Sequence, residues 1–232
     1  MLDVECGMDC TIRILGLADL HGHAMQLSKL ENLDADLIAF CGDLHNGGTP
    51  EEAKPVAEAL ASLGPPVLIV PGNMDPKGFV LDIWKEAGLK VMHGQSCRHG
   101  EIGFVGFGGM AIGDTSRIND PSRFYLPMEN AYESLTATQV EISGSPCRVV
   151  LSHQPPRGAR DVVYSGESVG CLSLRRYVDE FCPNLHICGH IHEDRGKAEL
   201  GKTTIVNVGE MREGYAALIE LDEQIKVEWI EP

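Results

Sequence analysis

Seven residues of this chain have side chains suited to holding metal ions, and each follows an apolar run: Asp19 and His21, Asp43, Asn73, His153, and His190 and His192. Two carboxylates, four imidazoles and one amide make a set of hard and borderline ligands suited to Mn²⁺, Fe, Zn²⁺ or similar ions. In α/β folds, ligands bind in the crevice outside the carboxyl ends of the strands. If the apolar runs are strands of a shared sheet, the seven residues meet in one cleft despite their distance in sequence. The bland alternative, a satisfied loop or core histidine, suits any one block far better than it suits all five together.

Positioning these residues falls to an alternating series of elements. Residues 11–18 read as a buried strand ending at Asp19-Leu20-His21-Gly22-His23, and residues 25–33 as a helical stretch. A second strand, 36–41, ends at Gly42-Asp43. Residues 50–63 have helix spacing, with Pro50, Glu51 and Glu52 suited to a first turn. A third strand, 66–70, ends at Pro71-Gly72-Asn73-Met74-Asp75, and 78–87 is the next helix. Alternating strand and helix predicts βαβ units and parallel strands. Residues 90–91, 96–99 and 102–107 are short strand candidates, followed by a Gly-, Asp-, Ser- and Pro-rich loop over 108–127 and a helix over 129–141. Strand 148–152 ends at His153-Gln154-Pro155-Pro156. After a second long loop, 155–170, come a helix over 172–181 and a strand over 185–188 that ends at Gly189-His190-Ile191-His192. Short strands at 203–208, 215–221 and 225–229 close the chain. With no internal repeat or linker, residues 1–232 read as one domain.

The bulk composition narrows the partners. The hydrophobic fraction of 43% and charged fraction of 23% are those of an ordinary soluble protein. A formal charge of −15 argues against broad binding to long nucleic acid or anionic membranes. A phosphate ester is also an anion, so bound cations would have to reverse the local field if one is the substrate. Asp3, Glu5 and Asp9 stand where a secretory signal would be basic, and no apolar run follows them. No segment has the length of a membrane span. Cys41, Cys147, Cys171 and Cys188 lie in or beside apolar runs, as small buried thiols do. The expectation is reduced thiols and a cytoplasmic location.

The ordered blocks Asp-x-His, Gly-Asp, Gly-Asn-x-Asp, a strand-ending His, and Gly-His-x-His resemble the calcineurin-like metallophosphoesterases. The resemblance runs from Asp19 to His192. It implies a four-layer αββα sandwich with two mixed β-sheets. It also implies two divalent transition-metal ions, Mn being favoured and Fe, Zn, Ni or Co being possible. One would be held by Asp19, His21, Asp43 and His192, the other by Asp43, Asn73, His153 and His190, with Asp43 as the bridge. The nucleophile it implies is a metal-bridging hydroxide, whose pKa the cations lower. The Asn73 amide would also contact a phosphoryl oxygen.

One position departs from the family pattern. Many members carry His after the Gly-Asn pair, where it is thought to protonate the leaving oxygen; this chain has Met74. A thioether has no proton to give, and a general acid is typically worth about 10²–10⁴-fold. Relatives with a non-His residue there act mainly on diesters, so the resemblance implies a phosphodiesterase acting on a small organic or nucleotide diester. His23 and His45 are candidate replacement acids, their alternative being solvated loop histidines. Asp75 is expected to orient its neighbours. Arg157, and with it Arg160, are candidates for substrate phosphate, surface charge being their other reading. Competing functions are a monoester or phosphoprotein phosphatase and a non-catalytic protein-binding scaffold.

Two motifs are set aside. Residues 196–203 spell Gly-x-x-x-x-Gly-Lys-Thr, but a β-rich run follows where a P-loop needs a helix. Cys182 and Cys188 beside His190 and His192 suggest a zinc cluster on paper, but Cys188 falls inside a strand. Cys6 and Cys10 form a lone, incidental pair.

Overall fold

Apolar residues on both faces of most strands require layers on both sides, and the chain supplies them as two sheets with flanking helices. The computed structural model describes residues 11–30, 33–222 and 224–232. The acidic stretch with Asp3, Glu5 and Asp9, and the Cys6/Cys10 pair, lie outside the described residues.

The first sheet contains β1 (Ile12–Leu17), β2 (Leu37–Cys41), β3 (Val67–Val70), β4 (Lys90–Val91), β13 (Ala216–Leu221) and β14 (Ile225–Ile230), in the order β14-β13-β1-β2-β3-β4. The second contains β5 (Gln95–His99), β6 (Ile102–Phe107), β9 (Cys147–Ser152), β10 (Leu185–Cys188), β11 (Gly196–Leu200) and β12 (Thr203–Asn207), in the order β11-β12-β10-β9-β6-β5. Both are mixed. β1 to β4 run parallel and β13 and β14 are antiparallel. In the second sheet β6, β9, β10 and β12 are parallel, while β5 and β11 are antiparallel edges.

The two-residue alternation of strands sorts the core into layers. Ile12, Ile14, Leu37, Ala39, Leu68 and Val70 meet Phe104, Val149, Leu151, Leu185, Ile187 and Val206 between the sheets. On the outer face of the first sheet, Leu15, Leu17, Ile38, Phe40 and Ile69 pack with α1 (Pro50–Ala61) and α2 (Val80–Glu86) through Ala53, Ala57, Leu60, Val80 and Trp84. On the other side, Val105 and Val150 pack with α3 (Asn130–Ile142) and α4 (Leu172–Phe181) through Leu135, Ile142, Leu174 and Tyr177. The result is the expected four-layer αββα sandwich. A capping box fixes the start of α1: Thr49 accepts from the Glu52 N–H, and Glu52 accepts from the Thr49 N–H at 2.9 Å.

Two local expectations change, at residues 24–30 and 108–127, while both decoy motifs turn out as expected. The helical stretch expected from residue 25 is a 3-10 helix over Ala24–Leu30, which buries only Leu27 and Leu30. The loop over 108–127 holds a short parallel pair, β7 (Met110–Ile112) with β8 (Tyr125–Pro127), and a 3-10 turn over Thr115–Arg117. The P-loop look-alike is the β11–β12 hairpin, turning at Gly201 with φ +64. Cys188 is fully buried against Ala159 and Ile205, and Cys182 is exposed at the end of α4, so the imagined cysteine–histidine zinc cluster does not form. Cys41, Cys97 and Cys171 also carry free thiols. No helix among the described residues is long and apolar enough to cross a membrane.

Candidate metal centre

All five blocks follow directly on the carboxyl ends of strands β1, β2, β3, β9 and β10 at one end of the sandwich. The parallel ladders continue past the strand ends and bring the loops together. Asp19 N–H donates to Gly42 O, and His21 N–H to Asp43 O, each at 2.9 Å, which extends the β1–β2 pairing. Gly189 N–H donates to His153 O at 3.0 Å and extends β9–β10. The two halves are then joined across the sheets. The His190 N–H donates to Asp19 Oδ2 at 2.9 Å, and His153 Nδ1 meets the Cys41 carbonyl at 2.9 Å.

This convergence costs the backbone. Asp19, His21, Asp43 and His190 all have left-handed φ, at +55, +50, +56 and +69. Non-glycine residues rarely take this region, and its concentration at one cleft marks a functional constraint. Two glycines are required by proximity. A Cβ on Gly72 would lie 2.1 Å from Asp43 Oδ1, and one on Gly42 would lie 2.6 Å from His153 Nδ1.

The donor atoms gather in two adjoining groups whose members lie within 4.8 Å of one another: Asp19, His21 and His192, and Asp19, Asp43 and His153. Asp43 Oδ2 stands 4.0 Å from His21 Nε2 and 3.5 Å from His153 Nε2, between the two. Asp19 belongs to both groups, and Asp43 lies within reach of a histidine of each. His153 also lies 3.1 Å from Asn73 Oδ1, and its ring centroid is 4.7 Å from that of His190. Two of the histidines are aimed by partners behind them. The Cys41 carbonyl holds Nδ1 of His153, and Glu210 Oε2 lies 3.1 Å from Nδ1 of His192, whose Nε2 is 3.2 Å from Asp19 Oδ1. This is how ligating imidazoles are oriented, with one nitrogen bonded outward and the other turned inward.

The electrostatics of the bare residues ask for positive charge. Burial and the neighbouring Asp19 charge push the Asp43 carboxyl well above the usual range. Burial also works against Asp19, but His192 and the His190 N–H more than offset it and its pKa is lowered. Asp19 Oδ1 is buried facing two imidazole nitrogens, His192 Nε2 at 3.2 Å and His21 Nε2 at 3.7 Å. Burial lowers His21 to about 4 and His190 to about 3, leaving neutral imidazoles with lone pairs to give. A buried carboxylate oxygen ringed by imidazole nitrogens, two facing acidic groups and neutral imidazoles fit divalent cations.

Asp75 braces the floor. It is fully buried, and its carboxylate accepts from Asp43 N–H at 2.9 Å, His45 N–H at 2.8 Å and Gly72 N–H at 2.8 Å, so it locks the loops after β2 and β3 together. Burial and Asp43 push its pKa up to about 8 against those bonds.

The other candidates are distributed differently. The Trp84 indole N–H donates to His45 Nε2 at 3.0 Å, and burial lowers His45 to about 4. A neutral imidazole with Nε2 already occupied is a poor proton donor, which corrects the expectation for His45. His23 is exposed beside Met25 and Lys29, with Nδ1 3.3 Å from Leu20 O. Arg157 is exposed and its charge acts on Asp161, while Arg160 pairs with Asp194 at 3.2 Å; the geometry brings neither to the ligand cluster, contrary to the expectation for Arg157. An open cavity of about 260 Å³ adjoins the cluster, lined by His21, His45, Gly47, Glu52 and Val56 among others.

Sequence reasoning missed Glu210 and Arg212. The signal existed for Glu210: β12 is one more strand followed closely by a polar residue, in Asn207-Val208-Gly209-Glu210. Arg212 pairs with Glu210 at 2.6 Å, and its N–H donates to Asp19 O at 3.0 Å.

Comparison with known proteins gives the family and the fold. Residues 12–194 match the family described as calcineurin-like phosphoesterase. An uncharacterized protein of Methanocaldococcus jannaschii, MJ1162, is 31% identical over 84% of this chain and 87% of its own length. The glycerophosphodiester phosphodiesterase GpdQ of Enterobacter lignolyticus is 26% identical over 78% of this chain, which spans 65% of that relative. The crystal structure of TT1561 of Thermus thermophilus shares the fold, with a TM-score of 0.78 and 19% identity over 94% of this chain and 99% of that one.

Proposed function

The chain belongs to the calcineurin-like phosphoesterase family, and on that footing we propose that it is a two-metal phosphodiesterase acting on a small organic or nucleotide diester. The observation that carries this reading is Asp43 Oδ2 standing between His21 and His153 while Asp19 joins both donor groups. One cation would sit among Asp19, His21, Asp43 and His192, the other among Asp43, Asn73, His153 and His190. When bound, the two cations supply the charge that draws a phosphate ester to an acidic protein and activates water for attack. The chain's own residues aim the ligands, through Glu210 and the Cys41 carbonyl, and fix the loop spacing, through Asp75. The Asn73 amide would contact a phosphoryl oxygen as well as a cation.

Preference for diesters rests on Met74, which gives no proton to the leaving oxygen. The relative named as a glycerophosphodiester phosphodiesterase supports the same choice. We read residues 1–232 as one domain carrying the site, working where its buried thiols stay reduced, as in a cytoplasm. Turnover of a chromogenic aryl diester and its monoester, with Mn²⁺, Fe²⁺, Zn²⁺, Ni²⁺ or Co²⁺ added, tests the reading. Faster diester turnover is expected. A strong monoester preference overturns the diester assignment, and no turnover with any ion overturns the enzymatic one.

A further inference from the structure

Of three arginines on connecting segments of the sandwich, two are neutralised. Arg212 is paired with Glu210 at 2.6 Å and Glu213 at 3.4 Å. Arg160 is paired with Asp194 at 3.2 Å. The third, Arg123, is half-buried just before β8. The following residue, Phe124, donates its N–H to the Asn73 carbonyl at 3.2 Å, which pins this segment to the loop carrying Asn73 and Met74. A Cβ on Gly47 would lie 3.6 Å from Arg123 Nη1, and Gly47 donates its own N–H to Met74 O at 2.9 Å. Arg123 thus reaches over the segment that faces Met74, beside the cavity that Gly47 lines.

The guanidinium is underused where it stands. A guanidinium has five N–H donors. Among the described residues Arg123 makes one side-chain hydrogen bond, from Nη1 to Ser122 O at 2.9 Å, and no carboxylate is in ion-pair contact with it. Its charge acts on Asp43 inside the cleft and on Asp120, which is exposed.

We propose that Arg123 is a substrate-binding residue that grips the anionic phosphoryl group on the Met74 side of the cleft, supplying fixed positive charge where the chain has no proton donor. This rests on the phosphoesterase reading above. Arginine does not give up its proton at neutral pH. In hydrolysis a water-derived oxygen bonds to phosphorus, and the P–O bond to the leaving group breaks with both electrons on the departing oxygen. That oxygen leaves as an anion beside Arg123 and takes its proton from water. The substrate class is therefore phosphodiesters whose leaving oxygen is acidic enough to depart unprotonated.

The test uses the full chain loaded with metal, comparing wild type, Arg123→Gln and Arg123→Lys. Inorganic phosphate binding is measured by calorimetry, metal content by elemental analysis, and kcat/KM across aryl diesters of graded leaving-group pKa. A charge-assisted bond of this kind predicts phosphate binding weakened about 10- to 100-fold in R123Q. Partial recovery in R123K, unchanged metal content and a steeper leaving-group dependence in R123Q are expected with it. Unchanged phosphate affinity in R123Q, loss of metal from it, or a wild type that binds no phosphate each overturns the proposal. Arg123-dependent phosphate binding without hydrolysis of any ester would remove the enzymatic reading and leave the anion site standing. An active enzyme indifferent to R123Q removes the anchor alone.

Discussion

Replacing Glu210 separates the two cations that the site is proposed to hold. Glu210 is 8% exposed, and its Oε2 lies 3.1 Å from Nδ1 of His192, whose Nε2 faces Asp19. Among the described residues no carboxylate stands behind Nδ1 of His153, which the Cys41 carbonyl orients instead. Removing a partner behind a ligating histidine typically costs about 10- to 100-fold in metal affinity, or about 1.4 to 2.7 kcal/mol at 1.36 kcal/mol per decade. Glu210→Gln keeps an acceptor and loses the charge, so it belongs at the low end. Glu210→Ala also strips Arg212 of its 2.6 Å partner and belongs at the high end. The loss should fall on one ion, the one beside Asp19, His21 and His192. Metal titration against a competing chelator would then show two dissociation constants drawn apart, with total capacity preserved at saturating metal. A urea denaturation curve guards against general unfolding. Two constants unchanged in E210A would refute the reasoning, and two constants weakened equally would show a structural effect in place of a directed one.

Asp75→Asn turns an amide donor toward at least one of the three N–H groups that the carboxylate now accepts. Leaving buried donors unsatisfied should cost about 2–3 kcal/mol in chemical denaturation of metal-free protein, and a change under about 0.5 kcal/mol would contradict the bracing role. Stability should also fall in mild acid. Burial holds His45 and His93 near about 4 and His186 near about 3 in the folded chain, below the ordinary 6.5. Between those values the unfolded chain binds more protons, so this contribution is full above pH 6.5 and drains away as pH falls toward 4. Urea midpoints at pH 7.5 and 5 measure it; equal midpoints would refute it.

The convergence of the strand-end candidate ligands was legible because each sits directly after an apolar run, where the fold leaves little choice of position. Asp43 and His153 follow β2 and β9 within two residues, and their meeting is dictated by parallel strands in facing sheets. Partners set by packing between distant segments were not legible. Trp84 looks like any core aromatic until its indole is found on His45, and Arg123 depends on where a Gly-, Asp- and Pro-rich loop lands. The pairing of β7 with β8 spans three residues on each side, too short to leave a periodic pattern. The 3-10 segment over Ala24–Leu30 has helix-like spacing but starts straight from the left-handed turn at His21 and Gly22, which leaves no room for a capped α-helical turn.

The left-handed backbone at Asp19, His21, Asp43 and His190 sets selection for stability against selection for chemistry at the same four positions. Each non-glycine residue held there costs on the order of 1 kcal/mol that glycine would not. A copy of this gene freed from its catalytic duty would therefore drift toward glycine at these sites and become a sturdier, inert protein. The candidate ligands stand where the chain, judged by folding alone, would be better without them.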